Sequence, residues 1–258
     1  MKRTSSSELR MLLDDLGVRP GDKLCVHAFL PSLGVVRGGA AEVMDAIFET
    51  IGAEGTLVVP TFTASYRRGE IYDVNESKSF NGAFSEYVRQ RPQSVRSLCP
   101  LFSMAAIGPD AGTLMQRRSK RCFGRNSVFE NLLTNDVKFV GFGVDWDQGY
   151  TFFMHLESLA GVPYRRDEAF YGLTRTADGQ YIRDEAIHFV RNEEMPWKRS
   201  RRPVCEDLVK KGVIREVTIA GCRHRLFPSS GIAQSVLEYL ANDIWCMTER
   251  PTCAGNNR

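Results

Sequence analysis

No stretch of this chain approaches the ~18 consecutive apolar residues of a membrane-spanning helix, so no membrane partner is expected. The segment from Met1 to Asp14 carries basic residues but lacks the apolar core and small-residue cleavage site of a secretory signal. Cysteine occurs seven times, an odd number, and no two stand as Cys-x-x-Cys. That spacing argues against a disulfide framework and a zinc cluster; no metal is expected, and the compartment reads as cytoplasmic. An excess of charge of one sign is lacking as well. The 34 Lys and Arg against 31 Asp and Glu leave a net +3, without a basic stripe interleaved with aromatics, so nucleic acid is not an expected partner. The densest basic run, Lys198 to Arg202, reads first as a solvated loop ahead of Pro203 and second as a site for an anionic partner.

The rest is ordinary globular composition. An apolar fraction of 43% over 258 residues can bury a large core. Ser5 to Leu16 reads as a capped helix with Leu9, Leu12, Leu13 and Leu16 on one face, ended by Gly17. Asp22 to Phe29 is a short strand, Pro31 to Gly39 a turn-rich segment, Ala40 to Ile51 a helix, and Thr56 to Pro60 a strand apolar enough to be buried on both faces. That order is the crossover unit of a mainly parallel sheet. Further helices fit 82–90, 111–115, 151–159 and 229–240, and 137–144 is the clearest strand of the second half. After Pro163 short strand candidates at 180–183, 186–190, 216–219 and 222–226 alternate with charged loops. The expected fold class is α/β: one domain over 1–258, with a mainly parallel central sheet flanked by helices. Its core is expected over about 5–165, an antiparallel C-terminal elaboration with a closing helix over 166–248, and a frayed tail at 249–258. Pro163 is a weak internal boundary.

Four histidines are available for chemistry. His27 ends one predicted strand and His155 follows another, and ligands of open α/β sheets gather at the carboxyl ends of strands. Imidazole titrates near neutrality and suits a general base, which makes His155 a functional candidate beside its structural reading. Glu157 lies two residues on, about 200° around a helix, so no direct bond between the two is implied. His188 and His224 read as structural or surface residues. The turn Leu33 to Gly39 leads to a helix N-terminus that can hold an anion, or is a plain loop.

Together these segments resemble the aminoglycoside 3-N-acetyltransferase family. The resemblance rests on Val26-His27-Ala28-Phe29 with Gly34 and Gly38-Gly39, on Gly55-Thr-Leu-Val-Val-Pro-Thr-Phe-Thr63, on Arg96-Ser97 with Ser103, and on Thr151 with His155-Leu-Glu-Ser158. It runs from about residue 5 to 165, with a looser match through Arg225-Leu-Phe227. It implies acetyl-CoA as donor and direct transfer to an amine of an amino sugar. It also implies His155 as base and Glu157 as a residue shaping the acceptor site. His27, Phe29, Leu33, Gly34, Val35, Val36, Arg37, Gly38 and Gly39, with Arg96, Ser97 and Ser103, would hold the pantetheine arm and phosphates. Thr61 and Thr63 would lie toward the substrate as candidate donors to the thioester oxygen. Two departures stand out. Where many members have Arg-Ser-x-His-Pro this chain has Arg96-Ser-Leu-Cys99-Pro100, and Ala28-Phe29 replaces a small polar pair. Cys99 reads as a buried inert thiol, with an acylated nucleophile as the alternative. Aminoglycosides are polycations, whereas this chain is slightly basic, which brings a nucleotide-linked amino sugar level with an aminoglycoside as acceptor. A non-catalytic coenzyme A- or sugar-binding protein is the alternative of another class, and a homodimer is left open.

Overall fold

The computed structural model describes residues 3–195, 197–219 and 221–249. The chain opens with β1 (Arg3–Thr4) and α1 (Ser6–Leu16), whose Ser5 and Glu8 form the expected capping box and whose last turn is closed by Gly17 at φ 88°. Then come β2 (Lys23–Ala28), β3 (Val35–Val36), α2 (Gly39–Ile51) and β4 (Thr56–Pro60). Next are β5 (Tyr72–Asp73), α3 (Gly82–Arg89), β6 (Val95–Arg96), β7 (Met104–Ile107), α4 (Ala111–Met115) and α5 (Val128–Thr134). The second half holds β8 (Lys138–Phe142), α6 (Phe152–Ala160), β9 (Arg165–Arg175), β10 (Tyr181–Arg191), β11 (Lys198–Arg199) and α7 (Arg202–Lys210). It closes with β12 (Arg215–Ile219), β13 (Cys222–Pro228), α8 (Ser229–Asn242) and β14 (Thr248–Glu249). The expected frayed tail lies, beyond Glu249, outside the described residues.

Seven strands make the central sheet in the order β12-β13-β8-β2-β4-β7-β6. The three in the middle are parallel, with Leu24 opposite Leu57 on one side and Lys138 on the other. Antiparallel β13 and β7 flank them, and β12 and β6 complete the edges. Five of the seven strands thus share one direction. Alternate residues of each strand enter different cores. Leu24, Val26, Leu57 and Val59 join α1, α2 and α3 on one face. Cys25, Val58, Met104 and Phe139 join α4, α5, α6 and α8 on the other. The second core draws residues from Cys25 to Met247, so packing does not divide at Pro163.

Where the short strand candidates at 180–183 and 186–190 were expected, β10 is one continuous strand paired over its whole length with β9. β9 escaped the sequence reading because its side chains are mostly exposed or half-buried and show no clean apolar alternation. α5 and α7 escaped it too, since helices of seven and nine residues offer few turns of periodicity. The run Lys198 to Arg202 is no solvated loop: it spans β11, paired with β14, and the N-cap of α7, with Arg201 only 1% exposed.

Candidate active site

The parallel strands β2, β4 and β8 end at one edge of the sheet, where the loops that follow them enclose a cleft of about 390 Å³. Its walls include His27, Phe29, Pro60, Asn81, Gly143 and Asp145. Gly143 sits at φ +62°, and a Cβ there would lie 2.1 Å from that of Ser32, so only glycine permits this approach. His27 is buried, its Nε2 lies 3.9 Å from Sγ of Cys25, and burial brings its pKa down to about 4. Phe29 stands 58% exposed at the rim.

The other residues assigned to the donor divide. Leu33 is buried among the side chains of α1 and α2, and Val35 and Val36 pair with β1 rather than lining the cleft. Gly34 follows a short 3-10 turn, Leu30–Leu33, and Arg37 is exposed. At the start of α2 the Gly38 N–H donates to Oε2 of Glu42 at 2.8 Å. A carboxylate of the helix itself therefore occupies that amide, which an anion would otherwise use.

Arg96, Ser97, Ser103, Thr61 and Thr63 are all buried and belong to one hydrogen-bonded lattice. Arg96 donates to Thr61 Oγ1 at 3.1 Å, to the Thr61 carbonyl at 2.6 Å and to the Ser77 carbonyl at 2.6 Å. Ser97 Oγ accepts from Met104 N–H at 3.0 Å, and Ser103 Oγ donates to the Thr61 carbonyl. The Thr61 hydroxyl donates to Ser103 Oγ at 3.2 Å, and that of Thr63 to the Pro100 carbonyl at 2.5 Å. In this arrangement Arg96 has its guanidinium taken up by the protein, and neither threonine has a hydroxyl proton free for a thioester oxygen. The lattice fixes the two loops beside the cleft.

His155 lies in the second turn of α6, fully buried between the rings of Phe129 and Phe152. Burial brings its pKa down to about 4, so the ring is neutral at physiological pH. Its Nδ1 accepts from Gly124 N–H at 3.1 Å, and its Nε2 has no partner. Gly124 holds that amide in place at φ +79°, where a Cβ would also meet Ser158 Oγ at 2.7 Å. Glu157 points elsewhere, as the helical spacing requires. Its Oε2 accepts from Arg165 Nε at 2.7 Å and lies 3.7 Å from Arg201 Nη2, with all three side chains buried. A carboxylate so engaged holds two guanidiniums in place.

Beside it lies a second hollow, of about 520 Å³, lined by Met154, Phe102, Arg165, His188, Arg191 and Arg199 among others. These basic residues were not sequence candidates, apart from Arg199 within the basic run. His188, expected at the surface or in a structural role, is 6% exposed against Phe102 and Phe123. The signal available was the register of β9 and β10, which sets Arg165 opposite Arg191 and Glu168 opposite His188. Cys99 is buried with its Sγ 3.6 Å from that of Cys122, and this contact draws its pKa down against the effect of burial.

A partly parallel sheet with a strand-end cleft, its wall holding the buried His27, defines an α/β scaffold with a site at the carboxyl edge of its central strands. The sequence model described as aminoglycoside 3-N-acetyltransferase matches residues 25–241, and the chain belongs to that family. Aminoglycoside N(3)-acetyltransferase III of Serratia marcescens is 31% identical over 173 residues, which cover 60% of this chain and 64% of that protein. Aminoglycoside N(3)-acetyltransferase VIII of Streptomyces fradiae is 26% identical over 255 residues, 88% of each. Among solved structures, AAC-IIIb in binary complex with CoASH superposes with a TM-score of 0.81 at 21% identity, covering 93% of this chain and 97% of that one. AAC-VIa bound to sisomicin gives 0.78 at 22%, covering 93% and 98%.

Proposed function

We propose that this chain transfers an acetyl group from acetyl-CoA to an amine of an amino sugar, an aminoglycoside or a nucleotide-linked amino sugar. Family membership supports the reaction class, and the observation that carries the reading is His155, a buried imidazole kept neutral and left with one unpartnered nitrogen. The strand-end cleft, with its glycine-lined wall, suits the slender pantetheine arm of the donor.

An alkyl ammonium has no lone pair, so the amine must shed a proton before or during attack on the thioester. A neutral imidazole can take it, a contribution of roughly 10²–10⁴-fold. The Gly124 hydrogen bond bears on how. With Nδ1 accepting, the neutral ring carries its proton on Nε2, and taking a second proton requires the Gly124 contact to open. The same contact favours a second reading, in which Nε2–H donates to the thioester oxygen and the amine arrives uncharged.

Free thiol release from acetyl-CoA over a panel of amines tests the reaction, and His155→Gln separates the two readings. Glutamine offers an N–H but no basic nitrogen. Activity in His155→Gln well above that of His155→Ala supports the donor; equal loss supports the base. Acetyl-CoA binding with no turnover of any amine would leave a non-catalytic coenzyme A-binding protein.

A further inference from the structure

Charge in the second hollow is out of balance. Arg67, Arg165, Arg166, Arg191 and Arg199 line it, against Glu168 and Glu193. Glu168 already pairs with Arg166 at 2.6 Å, and the buried Glu157 behind the wall serves both Arg165 and Arg201. Among the described residues, the contacts of the remaining cations are aromatic or backbone. Arg67 lies over Phe170 at 5.1 Å, Arg191 over Trp197 at 4.6 Å, and Arg199 donates to the Asp147 carbonyl. Arg165 faces the same Trp197 ring at 5.0 Å and stands opposite Arg191 in the hairpin register.

A second observation points to a ligand. Three buried polar atoms of this lining lack any partner: Nη2 of Arg165, Nε of Arg199 and Nδ1 of His188. Buried donors and acceptors are almost always paired, so three unpaired ones on residues of one lining leave hydrogen-bonding capacity unmet beside the hollow. The mutual field agrees. Burial, then Arg201 and Arg165, bring Arg199 down to about 10, and Arg67 and Arg165 add to burial in holding His188 at about 3.

We propose that this hollow binds an anionic group of the amine acceptor, a phosphate or a carboxylate, so that the acceptor is an acidic amino sugar rather than a polycationic one. Planar guanidinium forks match such oxyanions in pairs, whereas a polycation entering here would meet a field of its own sign. The inference rests on the acetyl-transfer reading and narrows it. The donor's own phosphates share the same chemistry, and the experiment distinguishes the two sources.

The test uses the full chain and the double variant Arg67→Gln/Arg191→Gln, both positions being exposed and clear of the Glu157 pairs. Thiol release gives kcat/KM for glucosamine 6-phosphate, glucosamine and gentamicin, and calorimetry gives the acetyl-CoA Kd. The phosphorylated sugar should be preferred over glucosamine by about tenfold or more, the variant should erase most of that ratio, and its acetyl-CoA Kd should not move. Preference for gentamicin, or a ratio unchanged in the variant, overturns the proposal. A raised acetyl-CoA Kd with the ratio intact also overturns it and assigns the hollow to the donor. If no amine is turned over, the transfer reading fails, and calorimetric binding of the two sugars still decides the anion site. Tighter binding of glucosamine 6-phosphate, lost in the variant, sustains it; equal binding sinks it.

Discussion

The strand-end cleft and the hollow beside α6 are built by opposite means. The strand-end cleft is made by backbone: glycines and short loops at the ends of β2 and β8 let the chain approach closely, and its walls carry little charge. The hollow beside α6 is made by long side chains, four arginines on β9, β10 and β11 together with Arg67 of the turn at Ala64–Arg68. A backbone-lined cleft constrains shape and tolerates little variation. A side-chain-lined one constrains charge and can change partner by substitution while the sheet stays as it is. On the proposed reading the donor's arm takes the first kind of site and an anionic group of the acceptor the second.

Four outcomes would break or sharpen that contrast. The largest is expected at His155. His155→Ala should lower transfer by roughly 10²–10⁴-fold with the acetyl-CoA Kd unchanged, read by thiol release and calorimetry. A weakened Kd instead would move the histidine to the donor side of the contrast. Next is Glu157→Gln, which leaves the buried Arg165 and Arg201 without their shared carboxylate. Breaking such a pair costs about 3–5 kcal/mol, measurable by denaturant titration. A loss below about 1 kcal/mol, the worth of an exposed pair, would show that water reaches these guanidiniums.

The third concerns pH. Burial lowers His27 and His155 to about 4 and His188 to about 3, with Arg67 and Arg165 assisting at His188, from an ordinary 6.5. Between those values the unfolded chain binds more protons than the folded one. The stability these histidines contribute is therefore whole above pH 6.5 and falls as the pH drops toward 4. Each accounts for up to about 1.4 kcal/mol per pH unit across its interval. His27→Gln should flatten the slope of denaturation midpoint against pH by one such share, and an unchanged slope would mean that the cleft wets its histidine. The smallest effect is expected for Gly124→Ala, about 1–2 kcal/mol for a side chain in left-handed backbone. Its value lies in the accompanying loss of activity, because the Gly124 amide orients the His155 ring. Stability lost without activity would detach that amide from catalysis.

How much of this was legible in sequence varies with the kind of constraint. α1 was readable to its caps, because Ser5, Glu8 and Gly17 are local chemistry acting over three or four residues. β4 was readable because Leu57-Val-Val59 between Thr56 and Pro60 is a nearly all-apolar run, and all five residues are buried as in a strand covered on both faces. His155 and Glu157 were legible as candidates and as residues facing apart. Thr61, Thr63 and Arg96 entered as ligand contacts through the motifs they belong to and the resemblance those motifs carry. Their hydrogen-bond partners lie up to 42 residues away, and only those partners show the hydroxyls and guanidinium to be already engaged. The basic run misled for a related reason. Charge in a sequence suggests solvent, yet Arg201 is buried because Glu157 and the Tyr150 carbonyl meet it across the fold.

By itself the sequence determined the α/β class, the crossover unit around β2 and β4, and the family. Each of these rests on short-range periodicity, caps or a contiguous motif. Tertiary structure alone decided which polar groups are free. A side chain's availability depends on partners brought from distant segments, as Gly124 is brought to His155 and Arg191 to Arg165. The tautomer of His155 and the sign of the field in the hollow beside α6 were set by that assembly.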